Sequence, residues 1–327
     1  MITVYRSNGE ALLLSPELPA DLTSVPAGIV WVDLLSPTHE EDAFVERILG
    51  IDVPTRDELK DIEPSSRLYT ENGTVYMTAS LVWKAESDQP ELTDVAFILT
   101  ERFLLTIRYA EPRAFELFKA AMPRLAGECG SGTAMIARLM ETIADRTAEI
   151  LEMSVFRADT LSLEVFGDKQ HIKRRPPRYL EDRLIAVSAL HRLVAKTRDS
   201  LMSLSRLMTF LYAAPLLQPD RDSRELCRTV SRDLQSLSEH ANFIASNISF
   251  LLDASLGLIN LEQNQIIKIF SIASVVLLPP TLIASIYGMN FEFMPELHHA
   301  YAYPMALGAM ILSAVVPFIY FRWKGWL

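Results

Sequence analysis

The residues with the clearest chemistry stand near the C-terminus: Tyr287-Gly288-Met289-Asn290, followed by Glu292 and Glu296. Asn290 offers a neutral carboxamide that both accepts and donates hydrogen bonds. The two carboxylates raise the local concentration of cations. Upstream, Asn264, Ile267, Phe270 (with Ser271), Ser274, Leu278, Thr281 and Ser285 recur every three or four residues and so form one stripe along a helix. A stripe of amide, hydroxyl and apolar groups in an otherwise apolar segment fits a water-facing surface, although small polar residues also help helices pack. Gly-x-Asn at a helix end equally suits a C-cap. Enzyme chemistry finds no support. There is no Gly-x-x-x-x-Gly-Lys-Ser/Thr loop, Gly127-Glu128-Cys129-Gly130-Ser131-Gly132 reads as a flexible turn, and no Ser/His/Asp or Cys/His set stands out. His298-His299 reads as solvated loop surface.

The elements that position these residues are two apolar segments, about Ile266 to Tyr287 and about Tyr301 to Phe321. Each is about 20 residues long and, at 1.5 Å per residue, matches the ~30 Å hydrocarbon core of a bilayer. They account for a slightly positive mean hydropathy in a chain of 327 residues that is 50% hydrophobic. The net charge of −10 argues against nucleic acid as a partner and permits attraction of cations. Two cysteines, Cys129 and Cys227, make no disulfide framework and fit a reducing compartment. The start, Met1-Ile2-Thr3-Val4-Tyr5-Arg6, has no signal-peptide pattern. Lys268, Arg322 and Lys324 flank one end of the spans, whereas Gly288 to Ala300 contains no Lys or Arg. The positive-inside rule therefore predicts cytoplasmic termini and an external loop, in a bacterial inner membrane.

Residues 1–130 read as a cytoplasmic α/β domain, with strands at Ile29–Leu34, Thr74–Val82, Val95–Thr100 and Phe103–Arg108. Glu101-Arg102 reads as a two-residue hairpin turn, and helices are expected at Thr38–Leu49 and Thr55–Asp61. Residues 131–222 read as a helical hairpin, Thr133 to about Val165 and Leu180 to Leu211, joined by the basic turn Lys169 to Arg178. That turn is a solvated connection or a contact for lipid phosphates or a neighbouring subunit. Residues 223–287 read as one long stalk helix continuous with the first span, 288–300 as the external loop, and 301–327 as the second span with a basic tail. Val230, Leu234, Leu237, Ala241, Ile244, Ile248, Leu251, Ser255 and Leu258 form a heptad-like seam on the stalk. Gly257 and the pair Pro279-Pro280 are its weak points.

Two helices cannot enclose an aqueous path, so a pore needs several copies around an axis. Here a resemblance becomes specific. Tyr287-Gly288-Met289-Asn290, then Phe291-Glu292-Phe293-Met294-Pro295-Glu296-Leu297, and the ending Tyr320-Phe321-Arg322-Trp323-Lys324-Gly325-Trp326-Leu327 resemble the CorA family of divalent metal ion transporters. The match is strongest over about residues 260 to 327. The resemblance implies a funnel-shaped homopentamer with Gly288, Met289 and Asn290 at the outer mouth. It implies magnesium as both transported and regulatory ion, cobalt or nickel as further cargo, and no resident cofactor. Magnesium dehydrates reluctantly, so a ring of Asn290 carboxamides, helped by Gly288 carbonyls, would bind the hydrated ion through its waters. On the same resemblance the stripe Asn264, Ile267, Phe270, Ser274, Leu278, Thr281 and Ser285 lines the pore. Bulky apolar rings there can close it by dewetting, and Lys268, Arg322 and Lys324 form a basic collar. Influx needs no nucleotide, because a divalent cation gains roughly 4.6 kcal/mol per 100 mV.

Family members sense cytoplasmic magnesium at acidic sites between subunits. The acid-rich stretches Glu40-Glu41-Asp42, Asp57-Glu58-Asp61-Glu63 and Glu86-Asp88-Glu91-Asp94 read first as solvated faces. Zinc-transporting relatives share Gly-Met-Asn, and the loop after it here is of the magnesium type. The alternatives are zinc transport on the same architecture, and a membrane-anchored sensor or scaffold without transport.

Overall fold

The computed structural model describes residues 1–14, 28–61, 67–125, 127–167, 178–290, 294–299 and 301–326. The chain divides into two units, Met1–Leu252 and Asp253–Leu327.

The first unit is built on a seven-stranded sheet of β1 (Ile2–Arg6), β2 (Ala11–Leu14), β3 (Ile29–Leu35), β4 (Leu68–Glu71), β5 (Thr74–Trp83), β6 (Glu91–Leu99) and β7 (Leu104–Arg108), in the order β2-β1-β3-β7-β6-β5-β4. Only β3 and β7 pair in parallel, with Asp33 opposite Thr106. Alternation along the strands gives the sheet two buried faces. In β6, Val95, Phe97 and Leu99 join one core while Ala96 and Ile98 join the other. The smaller core lies under α1 (His39–Leu49) and α2 (Arg56–Asp61), through Phe44, Val45 and Leu59. α1 begins where Pro37-Thr38 foretells it. The Thr38 hydroxyl accepts from the Glu41 amide and the Glu41 carboxylate accepts from the Thr38 amide, a capping box, and Gly50 closes the helix at φ 65°.

The larger core packs the other face against α3 (Arg113–Ala121), α4 (Gly132–Phe166), α5 (Tyr179–Ala213) and the first part of α6 (Arg221–Tyr287). Sheet, α4, α5 and α6 thus share one apolar cluster. The heptad-like seam is the buried face of α6: Val230, Leu234, Ala241, Ile244, Ile248 and Leu251 are all buried there. Asp220 ties two helix starts together. Its carboxylate accepts the Ser223 amide at 3.1 Å and the Ser223 hydroxyl at 2.7 Å, capping α6. It also accepts the Thr133 hydroxyl at 2.6 Å, at the first turn of α4.

The expected helices match α1, α2, α4, α5 and α6 to within a few residues. The β6–β7 connection turns at Glu101-Arg102, and the Phe103 amide donates to the Thr100 hydroxyl rather than to its carbonyl. Four elements, β1, β2, β4 and α3, have no counterpart in the expected set. Each is short, and β2 and β4 are the two edge strands of the sheet, where the local pattern carries little signal. The basic turn Lys169 to Pro177 lies outside the described residues, as does Glu63.

The second unit holds the C-terminal part of α6, a 3-10 turn at Pro295–His298 and α7 (Ala302–Trp323). α6 passes through Gly257, Pro279 and Pro280 without a break. Both helices are long and apolar enough to cross a membrane.

Candidate functional site

Gly288, Met289 and Asn290 follow directly on the last turn of α6. That turn closes through backbone bonds, Gly288 N–H to the Ala284 carbonyl at 3.0 Å and Met289 N–H to the Ile286 carbonyl at 3.2 Å. Neither Gly288 nor Asn290 takes the left-handed conformation of a C-cap. The helix therefore ends without using the Asn290 side chain, and among the described residues its exposed carboxamide meets no hydrogen-bond partner. An amide left free at a span end keeps its acceptor oxygen available for an outside ligand. Glu296 is exposed in the 3-10 turn beyond it, and Glu292 lies outside the described residues.

Asn264, Ile267, Phe270, Ser274, Leu278, Thr281 and Ser285 are all exposed on α6. Phe270 is 71% exposed, but off-stripe residues of the same segment such as Ile269 and Leu277 are exposed to a similar degree, so exposure by itself does not single out the stripe. Two hydroxyls of the stripe are satisfied within the helix. Ser274 donates to the Phe270 carbonyl at 2.9 Å, and Thr281 donates to those of Leu277 and Leu278 at 3.1 and 2.8 Å. Such back-bonding removes the cost of a hydroxyl in an apolar medium and leaves its lone pairs for a further partner. α7 has no buried residue and no charge before Arg322.

Lys268 and the C-terminal tail meet at the other end of the unit. Gly325, at φ 70°, turns the chain so that Trp326 stacks on Phe321, with centroids 5.5 Å apart, and Lys268 Nζ lies 5.6 Å from the Trp326 ring. Lys324 Nζ lies 5.8 Å from the Tyr320 ring. Of the three basic residues, Lys268 and Lys324 are thus held by aromatic neighbours of the same tail. Roughly 28 Å of helix separates Lys268 from Tyr287 at 1.5 Å per residue. The sequence did not reveal the Lys268–Trp326 contact. Its one local signal is Gly325, the residue able to take the turn at least cost.

Several acidic side chains of the acid-rich stretches have partners inside the first unit. Glu58 accepts the Thr55 amide at 2.7 Å, and those hydrogen bonds, against slight desolvation, hold its carboxyl below the usual value. Glu86 pairs with Arg146 and Arg113, Glu91 with Lys84 at 3.0 Å, and Asp94 with Arg67 at 3.0 Å. Burial pushes the Asp42 carboxyl up. Among the described residues no three His, Cys, Asp or Glu side chains gather as a metal site.

Comparison with known proteins gives a consistent picture. A family model described as "CorA-like Mg2+ transporter protein" matches residues 26–323. The chain is 35% identical over 329 residues to "Magnesium transport protein CorA" of Haemophilus influenzae, covering 100% of both chains. It is 33% identical over 338 residues to the protein of the same description from Campylobacter jejuni, again covering 100% of both. The fold is similar to the complete structure of the CorA magnesium transporter from Methanocaldococcus jannaschii, with a TM-score of 0.72 at 18% identity over 100% of this chain and 98% of that one.

Proposed function

The chain belongs to the CorA-like Mg2+ transporter family, and on that premise we propose that it carries magnesium across a membrane through a pore formed by several identical chains. Gly288, Met289 and Asn290 form the mouth of this pore. The reading rests on one observation above others: Asn290 follows a membrane-length helix with its carboxamide exposed and unengaged. A ring of such carboxamides accepts hydrogen bonds from the waters of a magnesium ion, so the ion enters without losing its shell. Neutral oxygens bind weakly enough for the ion to move on, which rings of carboxylates at that place would oppose. Glu292 and Glu296 enrich cations nearby without coordinating them.

The exposed stripe Asn264, Ile267, Phe270, Ser274, Leu278, Thr281 and Ser285 lines the conduit, with Ile267, Phe270 and Leu278 as the apolar rings able to gate it by dewetting. α7 faces lipid. Lys268, Arg322 and Lys324 mark the cytoplasmic end, because the opposite loop has no basic residue. The assembly is a homopentamer in a bacterial inner membrane with both termini in the cytoplasm, and cytoplasmic magnesium bound between subunits holds it shut. Cobalt and nickel, similar in size to magnesium, are further cargo. The test is magnesium uptake into liposomes containing the purified chain under an inside-negative potential, with zinc as competitor. Magnesium entry that zinc fails to displace supports the reading. Zinc entry in its place, or no entry of any divalent ion, overturns it.

A further inference from the structure

β3 and β7 are the parallel pair of the sheet, and the chain leaves them toward opposite faces. After β3 it crosses to the face that carries α1 and α2, and after β7 to the face that carries α3. Where adjacent parallel strands part in this way, a crevice opens outside their carboxyl ends, the usual ligand site of open α/β sheets. Such a crevice is present here. A cavity of about 340 Å³ is walled by Ser36 and His39 after β3, Asp42 of α1, Arg56 and Asp57 of α2, and Tyr109 after β7. That volume lies in the range of small-molecule sites, roughly 300–1,000 Å³. Ser36, at φ 45°, turns the chain out of β3, and its amide donates to the Arg108 carbonyl at 2.8 Å, which ties the two strand ends together.

The wall holds charges that the fold leaves unused. Asp42 is 8% exposed, and its Oδ1 has no hydrogen-bond partner among the described residues. Burial pushes its carboxyl up, with His39 acting against the shift. The Tyr109 hydroxyl is pushed up too, by burial and then by Asp42. A buried carboxylate without a donor carries a free-energy cost that an incoming N–H group relieves. The Arg56 guanidinium lies over the Tyr109 ring, 5.5 Å from its centroid. Arg56, Asp57 and His39 are exposed, and among the described residues none of them forms an ion pair.

These charges select the occupant. Two carboxylates against one guanidinium disfavour a dianion such as phosphate. Among the described residues Asp42, Asp57 and His39 do not gather as a metal site. A cationic donor for Asp42 joined to an anion for Arg56 satisfies both with charge-assisted hydrogen bonds.

We infer that the cavity at the carboxyl ends of β3 and β7 binds a small zwitterion, a free amino acid. Its ammonium group donates to the Asp42 carboxylate, its carboxylate accepts from the Arg56 guanidinium, and its side chain lies against Tyr109.

The test is calorimetric titration of the full-length chain in detergent with each of the common free amino acids. At least one binds, and its N-acetyl and methyl-ester forms, which each lack one charge, bind about tenfold more weakly or worse. Asp42→Asn and Arg56→Gln each weaken its binding to the same extent. Asp42→Asn also removes a buried charge that has no partner, so the ligand-free variant unfolds at the parent's temperature or above it. Binding of no amino acid overturns the inference, as does an affinity untouched by either substitution or by acetylation. Binding of AMP in their place assigns the cavity to a nucleotide and overturns it as well. A ligand-free Asp42→Asn chain that unfolds at a lower temperature shows the carboxylate to be part of the fold and refutes the site. None of these readouts involves ion transport, so a negative result leaves the pore reading standing.

Discussion

Removing the Asp33 carboxylate is expected to cost as much stability as truncating a large apolar side chain of the sheet. Asp33 on β3 is 1% exposed and Arg108 on β7 is fully buried. One Asp33 oxygen accepts the Thr106 hydroxyl at 2.8 Å and Arg108 Nε at 3.0 Å, and the other accepts Arg108 Nη2 at 2.8 Å, with Lys119 Nζ at 3.2 Å. The Trp31 indole in turn donates to the Thr106 hydroxyl at 2.9 Å. Asp33→Ala leaves a buried guanidinium with its bond to the Ala110 carbonyl at 3.1 Å and the longer ion pair to Glu111 at 3.7 Å. Breaking one side of such a pair costs about 3–5 kcal/mol, against a typical total of about 5–15 kcal/mol. The double variant Asp33→Leu with Arg108→Met removes both charges and should recover most of that loss, because burying the pair already costs solvation. Urea unfolding of the full chain in detergent, followed through Trp31 fluorescence against a Trp31→Phe control, measures both. A loss below about 1 kcal/mol for Asp33→Ala, or a double variant no better than the single, refutes the reasoning.

Three further outcomes are expected. Gly132→Ala places a Cβ 2.7 Å from the Phe103 backbone carbon, so the start of α4 must shift, and the midpoint of urea unfolding should fall by the equivalent of about 1–3 kcal/mol. Thr38→Ala removes one half of the α1 capping box and should cost about 1 kcal/mol, measurable as faster amide exchange in the first turn of α1. Asp220 is held below the ordinary aspartate range: burial opposes its ionisation, but hydrogen bonds from Thr133 and Ser223 outweigh it. A depressed carboxyl stabilises the fold above its unfolded value and loses that effect as pH falls toward its folded one. Asp220→Asn should therefore be less stable than the parent at pH 7, with the difference shrinking below about pH 4. A difference constant with pH would contradict it.

Long periodic elements were legible from residue order. The spacing from Val230 to Leu251 set the buried face of α6, and Pro37-Thr38 with Glu41 set the start of α1. The length and apolarity of the last two helices marked the spans. Contacts set by tertiary folding were not legible. Nothing local joins Asp33 to Arg108, because it is the parallel pairing of β3 with β7, 75 residues apart in sequence, that brings them together. Edge strand β2 and the four-residue β4 carry too few alternations to show a period. At the candidate site, residue order placed Asn290 at a helix end and left capping and ligand binding both open. The backbone bonds of Gly288 and Met289 close α6 without the Asn290 side chain.

The most direct test compares magnesium uptake by liposomes bearing the parent chain with that by liposomes bearing equal amounts of Asn290→Ala, both checked for the same oligomeric mass. The account predicts steady entry driven by an inside-negative potential for the parent and entry near that of empty liposomes for the variant. Equal uptake by the two, with the assembly intact, would contradict it.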